Sequence, residues 1–234
     1  MALTDNLISY WKLDEASGNA SDSVGSNTLT NVGSVAYSGA KINNGAVFNG
    51  SNYFTGTGST LFPTGNQSYQ FWVNPNTASN SRYLLWNTYS SSTGLITSLE
   101  NSSSVLKLRV AIYNSSGSPS NKDFTSTITI SSSTWTHIVL VYTAASGQWE
   151  FYVNGSLVHT ETGFPTSVTA KSTAYFGIDG GFDAKNYFKG MIDEVGAWSR
   201  VLTSTEVSSL YNSGNGIQYP FGITSNTTNF FQFF

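Results

Sequence analysis

The chain has 234 residues and a net charge of −3, with only 10% of positions charged and 15% aromatic. Such a thin charge distribution offers nucleic acid or an anionic membrane surface no basic patch, the absence of cysteine excludes disulfides and thiolate metal sites, and no apolar run approaches the ~18 residues a membrane-spanning helix needs. The length suits one large β-sandwich, a class whose single domains run to about 200–250 residues.

The N-terminus lacks a basic segment followed by an apolar core, so no secretory signal is expected ahead of the first strand. From there, aromatic and β-branched runs bounded by turn formers predict strands over 7–13, 46–48, 69–73, 83–86, 95–99, 105–113, 125–130, 136–142, 148–153, 156–160, 174–178 and 188–198. The serine-rich stretches 90–93, 101–104 and 115–120 read as hairpin loops, because strand patterns resume within a few residues of each. Asn154-Gly155, between two such runs, signals a two-residue type I′ turn, since both central positions need positive φ. So many short strands imply two packed antiparallel sheets, with Trp11, Phe48, Trp72, Ile138, Leu140, Phe151, Val153 and Trp198 on inward faces. One helix follows the last strand. Thr203 and Glu206 form a capping box, Leu202 packs on Val207 as a staple, Val207, Leu210 and Tyr211 share a face, and Gly214 supplies the left-handed stop.

The two ends of this pattern carry a resemblance. The opening Leu7-Ile8-Ser9-Tyr10-Trp11-Lys12-Leu13-Asp14-Glu15, then Gly18, Asp22-Ser23 and Gly25, is similar to the start of laminin G-like domains of the concanavalin A-like lectin/glucanase superfamily. The closing Gly190-Met191-Ile192-Asp193-Glu194-Val195, with Trp198, Arg200 and the capped helix ending at Tyr211, resembles their end, and segments 45–50, 70–75, 135–142 and 151–155 fall in the family's order. The resemblance implies an all-β fold: a two-sheet antiparallel β-sandwich, a concanavalin A-like jelly roll, with one short C-terminal helix over residues 1–216. Residues 217–234 lie outside the pattern and form an aromatic tail. That fold hosts binding proteins, spacers and enzymes alike, so function has to come from a site.

Catalysis is not expected. A retaining glycosidase needs two carboxylates about 5–5.5 Å apart, yet Asp193 is flanked at two residues either side by Met191 and Val195, and strand alternation sends Glu194 to the opposite face. His137 and His159 sit within strands, no serine occupies a G-x-S-x-G elbow, and no phosphate loop occurs. Tyr187-Phe188-Lys189-Gly190 is faintly similar to a motif of jelly-roll polysaccharide lyases, whose accompanying motifs are missing. The resemblance further implies one calcium between the first long loop and the closing strand, held by Asp22, Asn27 and Asp193 with Asn44 as a helper. Calcium takes about six to eight oxygens, and the loop after Asp22 is shorter than the family's common form. The alternative is that Asp22 caps a turn and Asp193 accepts hydrogen bonds from the first loop's amides.

A glycan needs an aromatic face beside amides or carboxylates, and Tyr89, Tyr113, Asn114, Phe182, Asp183 and Tyr187 are the candidate contacts. In the tail, Tyr219, Phe221, Phe230, Phe231, Phe233 and Phe234 are the candidate interface residues, and the last four are too closely spaced to be buried on one face of one strand. They either cover their own sandwich or dock on a neighbouring subunit. The leading functional reading is a non-catalytic, surface-displayed binding and structural module, a subunit of a larger assembly such as a phage particle or fibre, extracellular or on the virion surface, that decorates the assembly or adheres to cell-surface glycans. A soluble calcium-dependent lectin and a glycan-active hydrolase or lyase of the same fold are the alternatives.

Overall fold

The computed structural model describes residues 1–61, 64–76, 82–87, 94–102, 105–113, 121–167, 172–178 and 187–222. Strand alternation layers them into two antiparallel sheets, as the sequence predicts. β1 (Leu7–Trp11), β3 (Ala36–Gly39), β4 (Asn44–Asn49), β6 (Gln67–Pro75), β11 (Thr136–Thr143), β12 (Gln148–Val153), β13 (Ser156–Glu161) and β15 (Lys189–Trp198) make an eight-stranded sheet. Its order is β13-β12-β11-β6-β15-β4-β3, with β1 added to β15. β2 (Thr30–Val32), β5 (Tyr53–Thr57), β7 (Arg82–Asn87), β8 (Gly94–Ser102), β9 (Val105–Tyr113), β10 (Asn121–Ile130) and β14 (Thr173–Phe176) make a seven-stranded sheet in the order β10-β9-β8-β7-β14-β5-β2.

Between the sheets, Trp11, Phe48, Ile138, Leu140 and Phe151 meet Phe54, Leu95, Leu108, Val110 and Phe176 in one buried cluster, each such side chain stabilising the fold by about 1.5–3 kcal/mol. At one edge the sheets are clasped: Lys122 on β10 bonds Glu161 on β13 at 2.5 Å, and His159 stacks on Phe124 at 4.9 Å.

The outer face of the eight-stranded sheet is also covered. Helix α2 (Ser204–Tyr211; α1, Gly58–Leu61, is a single turn) lays Val207 and Leu210 on Val139, Val141, Tyr152 and Trp198. This corrects the expected placement of two tryptophans. Phe71 and Val73 face the inter-sheet core, so Trp72 points outward, where it stacks on Tyr211 at 5.9 Å. Trp198 belongs to the same outer layer. The capping box at Thr203 and Glu206 is present, but the helix stops at Asn212, φ 48, whose N–H donates to the Ser208 carbonyl two residues before the expected Gly214. Asparagine enters the left-handed region with little penalty, so no glycine is needed there. The β12–β13 turn has φ 50 at Asn154 and φ 77 at Gly155, the type I′ signs. A Cβ on Gly155 would also stand 2.8 Å from the Tyr211 ring.

Candidate functional site

β15 has one edge shared between two strands: Lys189–Ile192 pair with β4 and Val195–Trp198 with β1. At the junction the register with β6 slips between Asp193 and Gly196, and Glu194 adopts φ 52. Such a bulge sets an extra residue against the partner strand and resets the alternation. Ile192 and Val195 therefore both face the inter-sheet core. Asp193 and Glu194, expected on opposite faces, both lie on the outer side of the sheet. Left-handed backbone at a glutamate costs about 1–2 kcal/mol, which the surrounding pairing sustains.

Both carboxylates are fully buried. Asp193 accepts from the Ile42 and Glu194 amides, each at 2.9 Å. Glu194 accepts a short bond from the Tyr10 hydroxyl and one of 2.7 Å from Gln218 Nε2, which also donates to Asp14 at 2.7 Å. Burial, reinforced by the neighbouring Glu194 charge, pushes Asp193 up to about 8 against the pull of the Ile42 amide. Burial likewise raises Glu194 to about 7, against the bonds from Tyr10 and Gln218. Gln70 donates to the Tyr10 hydroxyl at 3.2 Å, which leaves its carbonyl to accept from His137 Nε2 at 3.1 Å. Burial pushes His137 down to about 3, so the ring is neutral and carries its proton on Nε2. This network of Asp14, Asp193, Glu194, Tyr10, Gln70, His137 and Gln218 was not visible in the sequence, because only the bulge brings its acids to one face. It is sealed by Ile217–Phe221, whose Phe221 ring meets Tyr10 edge-on at 5.3 Å and stacks on Trp198 at 6.3 Å.

Asp22 lies elsewhere. It accepts from the amides of Tyr10 and Val24 at 3.0 Å and of Asn27 at 3.1 Å. Burial alone would raise its pKa, but these amides hold it below the ordinary carboxylate range. Asn27 donates to Ser9 at 2.7 Å, and the Asn44 amide donates to Asp14 at 3.1 Å. Asp22 flanks β1 on the edge away from β15, the strand that carries Asp193, and the amides bonded to Asp22 are not those bonded to Asp193. Among the described residues no group of three or more His, Cys, Asp or Glu is arranged to hold a metal ion. The residues in place fit amide capping better than a calcium shell.

Of the glycan candidates, Tyr89, Asn114, Phe182 and Asp183 lie outside the described residues, as do the tail residues Phe230, Phe231, Phe233 and Phe234. Tyr113 and Tyr187 both flank the outward face of the seven-stranded sheet. Tyr187 lies 6.3 Å from Tyr53, which lies 6.4 Å from Tyr175. Tyr53 and Tyr175 alternate with the core residues Phe54, Ala174 and Phe176, so both point outward. Tyr113 donates to Asp123 at 2.8 Å and accepts from Arg109 at 3.3 Å. Arg109 alternates with Leu108 and Val110 and so shares that outward face. The register runs Tyr175, Asn87, Ile96, Ala111, Asp123 across β14, β7, β8, β9 and β10. Four strand spacings, about 19 Å, thus divide the tyrosines from Asp123. Ile96 and Ala111 form an apolar patch between them with Tyr113 at its rim. Sequence reasoning missed Tyr53, Tyr175 and Arg109, though the alternation of each with core residues was a usable signal.

Two grooves lie apart from this face. One of about 470 Å³ is lined by Asn49, Asn74, Asn76, Ser133, Lys189 and Met191. Its one aromatic lining residue, Phe48, belongs to the buried core. The other, of about 560 Å³, has Tyr37, whose hydroxyl is engaged by the Gly18 carbonyl at 3.0 Å. Neither has the row of outward aromatic rings that Tyr53, Tyr175 and Tyr187 make on the seven-stranded sheet. Among the described residues no helix is long and apolar enough to cross a membrane.

A family model described as the concanavalin A-like lectin/glucanases superfamily matches residues 48–208. Domain 4 of AbnA, a GH43 extracellular arabinanase from Geobacillus stearothermophilus solved in complex with arabinotriose, is similar, with a TM-score of 0.66 at 24% identity over 87% of this chain and 97% of that one. The binding domain of botulinum neurotoxin serotype G has a TM-score of 0.69 at 19% identity over 88% of this chain and 50% of that one. The binding domain of Paraclostridial Mosquitocidal Protein 1 has a TM-score of 0.73 at 19% identity over 91% and 53%. The chain spans about half the length of these two binding domains. No curated protein matches the chain.

Proposed function

The chain belongs to the concanavalin A-like lectin/glucanases superfamily, and from that premise we propose that it is a non-catalytic glycan-binding module whose site is the outward face of the seven-stranded sheet. The observation that carries this reading is the line of half-exposed outward tyrosines, Tyr53, Tyr175 and Tyr187, on the face whose β10 edge carries the exposed Asp123. A sugar ring presents an apolar C–H face and an equatorial belt of hydroxyls. Phenol rings suit the first, while an exposed carboxylate such as Asp123 suits the second. That the arabinanase domain was solved with arabinotriose supports a saccharide ligand on this fold.

The buried acids are excluded from catalytic work in this reading, because Glu194 and Asp193 are sealed beneath Gln218 and Phe221. The module sits on a larger assembly, such as a phage particle or fibre, held by the aromatic residues that follow Gly222. Screening the full chain on an array of immobilised oligosaccharides tests the binding. Tyr175→Ala, which leaves the inter-sheet core intact, is expected to weaken binding about tenfold or more, the effect of losing one stacking face. Undiminished binding by this variant, with unchanged circular dichroism, removes the outward face as the site.

A further inference from the structure

Tyr53 is the middle member of the tyrosine row. Its ring centre stands 6.4 Å from Tyr175 and 6.3 Å from Tyr187, and all three side chains are half-exposed. Tyr175 pairs with Thr55, ahead of Tyr53 on β5, while Tyr187 is bridged to Ile178, which lies past Phe176, the partner of Phe54. The two therefore flank Tyr53 along the strand direction. A sugar ring is no wider than a phenol ring, so one sugar lies face-on over one tyrosine at a time, and the row is filled only by a chain that offers successive faces. The ring planes are inclined by 42° between Tyr53 and Tyr175 and by 51° between Tyr53 and Tyr187. Coplanar rings would suit a flat ribbon; rings turned this far suit a chain whose residues rotate from one to the next.

Hydroxyl partners stand beside the rings. Thr55 is set opposite Tyr175 on one side and Thr30 on the other, so all three share the outward face. Thr30 is exposed and Thr55 half-exposed, and neither hydroxyl is engaged by a described residue. Each offers one donor and two acceptor lone pairs, the complement of a sugar hydroxyl. We infer that the tyrosine row, with Thr30 and Thr55 as its hydrogen-bonding residues, takes a linear saccharide of at least three residues whose chain twists, and not a single sugar or a flat crystalline surface. This rests on the glycan reading above.

The test is calorimetric titration of the full chain with the mono- to hexasaccharides of arabinan, xylan and a β-1,3-glucan, together with pull-down on microcrystalline cellulose and chitin. In the series that binds, affinity is expected to rise at least about tenfold from the monosaccharide to the trisaccharide, as each added residue gains a ring. The crystalline polymers should retain no protein. The double variant Thr30→Val, Thr55→Val keeps the branched side-chain shape and is expected to lose about tenfold in trisaccharide affinity, the effect of two missing hydroxyl partners. A monosaccharide bound as tightly as its trisaccharide, array binding confined to sugars shorter than three residues, retention on cellulose or chitin that the soluble chains fail to compete away, or a double variant that binds as the wild type does overturns the inference and leaves the glycan reading standing. No binding to these chains or to any sugar of the array overturns both.

Discussion

A glutamate at φ 52 beside a second buried acid makes residues 193 and 194 a pH-sensitive point of the fold. Their folded pKa values, about 8 and about 7, lie above the ordinary 3.8 and 4.5, so the folded state favours the protonated forms. That stabilisation is complete below about pH 4 and is lost as pH rises through 7 to 8. The melting temperature should therefore fall between pH 5 and pH 9, and Glu194→Gln, which keeps the shape and removes one charge, should flatten the fall. A pH profile identical in wild type and variant would show that Glu194 does not titrate with a raised pKa in the fold. The sequence placed these two acids on a strand correctly and still misjudged their faces. Alternation holds only while the ladder is regular, and neither residue 194 nor its neighbours announces a bulge. The Thr203–Glu206 box, by contrast, was legible because every partner lies within one helical turn.

At the scale of elements, legibility followed length and local chemistry. The long strands and the Asn154-Gly155 hairpin were readable, whereas β2, β3 and β5 are short and polar, defined by partners distant in sequence and by no pattern of their own. The first loop shows how an element's role shifts once its partners are known. Asp22 holds the amides of Tyr10, Val24 and Asn27, fastening the loop to the free edge of β1. Asp22→Ala should cost about 1–2 kcal/mol, the usual loss of a side-chain cap. Chelation of the wild-type protein should leave the melting temperature unchanged. A drop on chelation, restored by added calcium, would instead return Asp22 to a metal site.

Over the whole molecule, the tail matters through its described residues, 217–222. These residues belong to the sandwich: Ile217 and Phe221 pack on the outer layer, Gln218 bonds Asp14 and Glu194, and Tyr219 lies 6.0 Å from Tyr10. The sequence could count the aromatic residues there but not choose between their own sheet and a neighbour's, because composition carries no direction. Cutting after Gly216 removes this cover. It uncovers Tyr10 and opens the Glu194 site to water, so the melting temperature should fall, with the loss largest at low pH and smallest near neutral pH, where the opened acid ionises without the penalty that burial imposes in the full-length fold. Cutting after Gly222 keeps every one of these contacts. That shorter chain should melt as the full-length protein does while losing the self-association proposed for Phe230, Phe231, Phe233 and Phe234, so sedimentation and calorimetry on the two truncations separate the roles. Equal melting of both would mean that residues 217–222 contribute nothing to the fold, and an unchanged sedimentation coefficient per chain for the longer truncation would remove the final aromatics as an assembly contact.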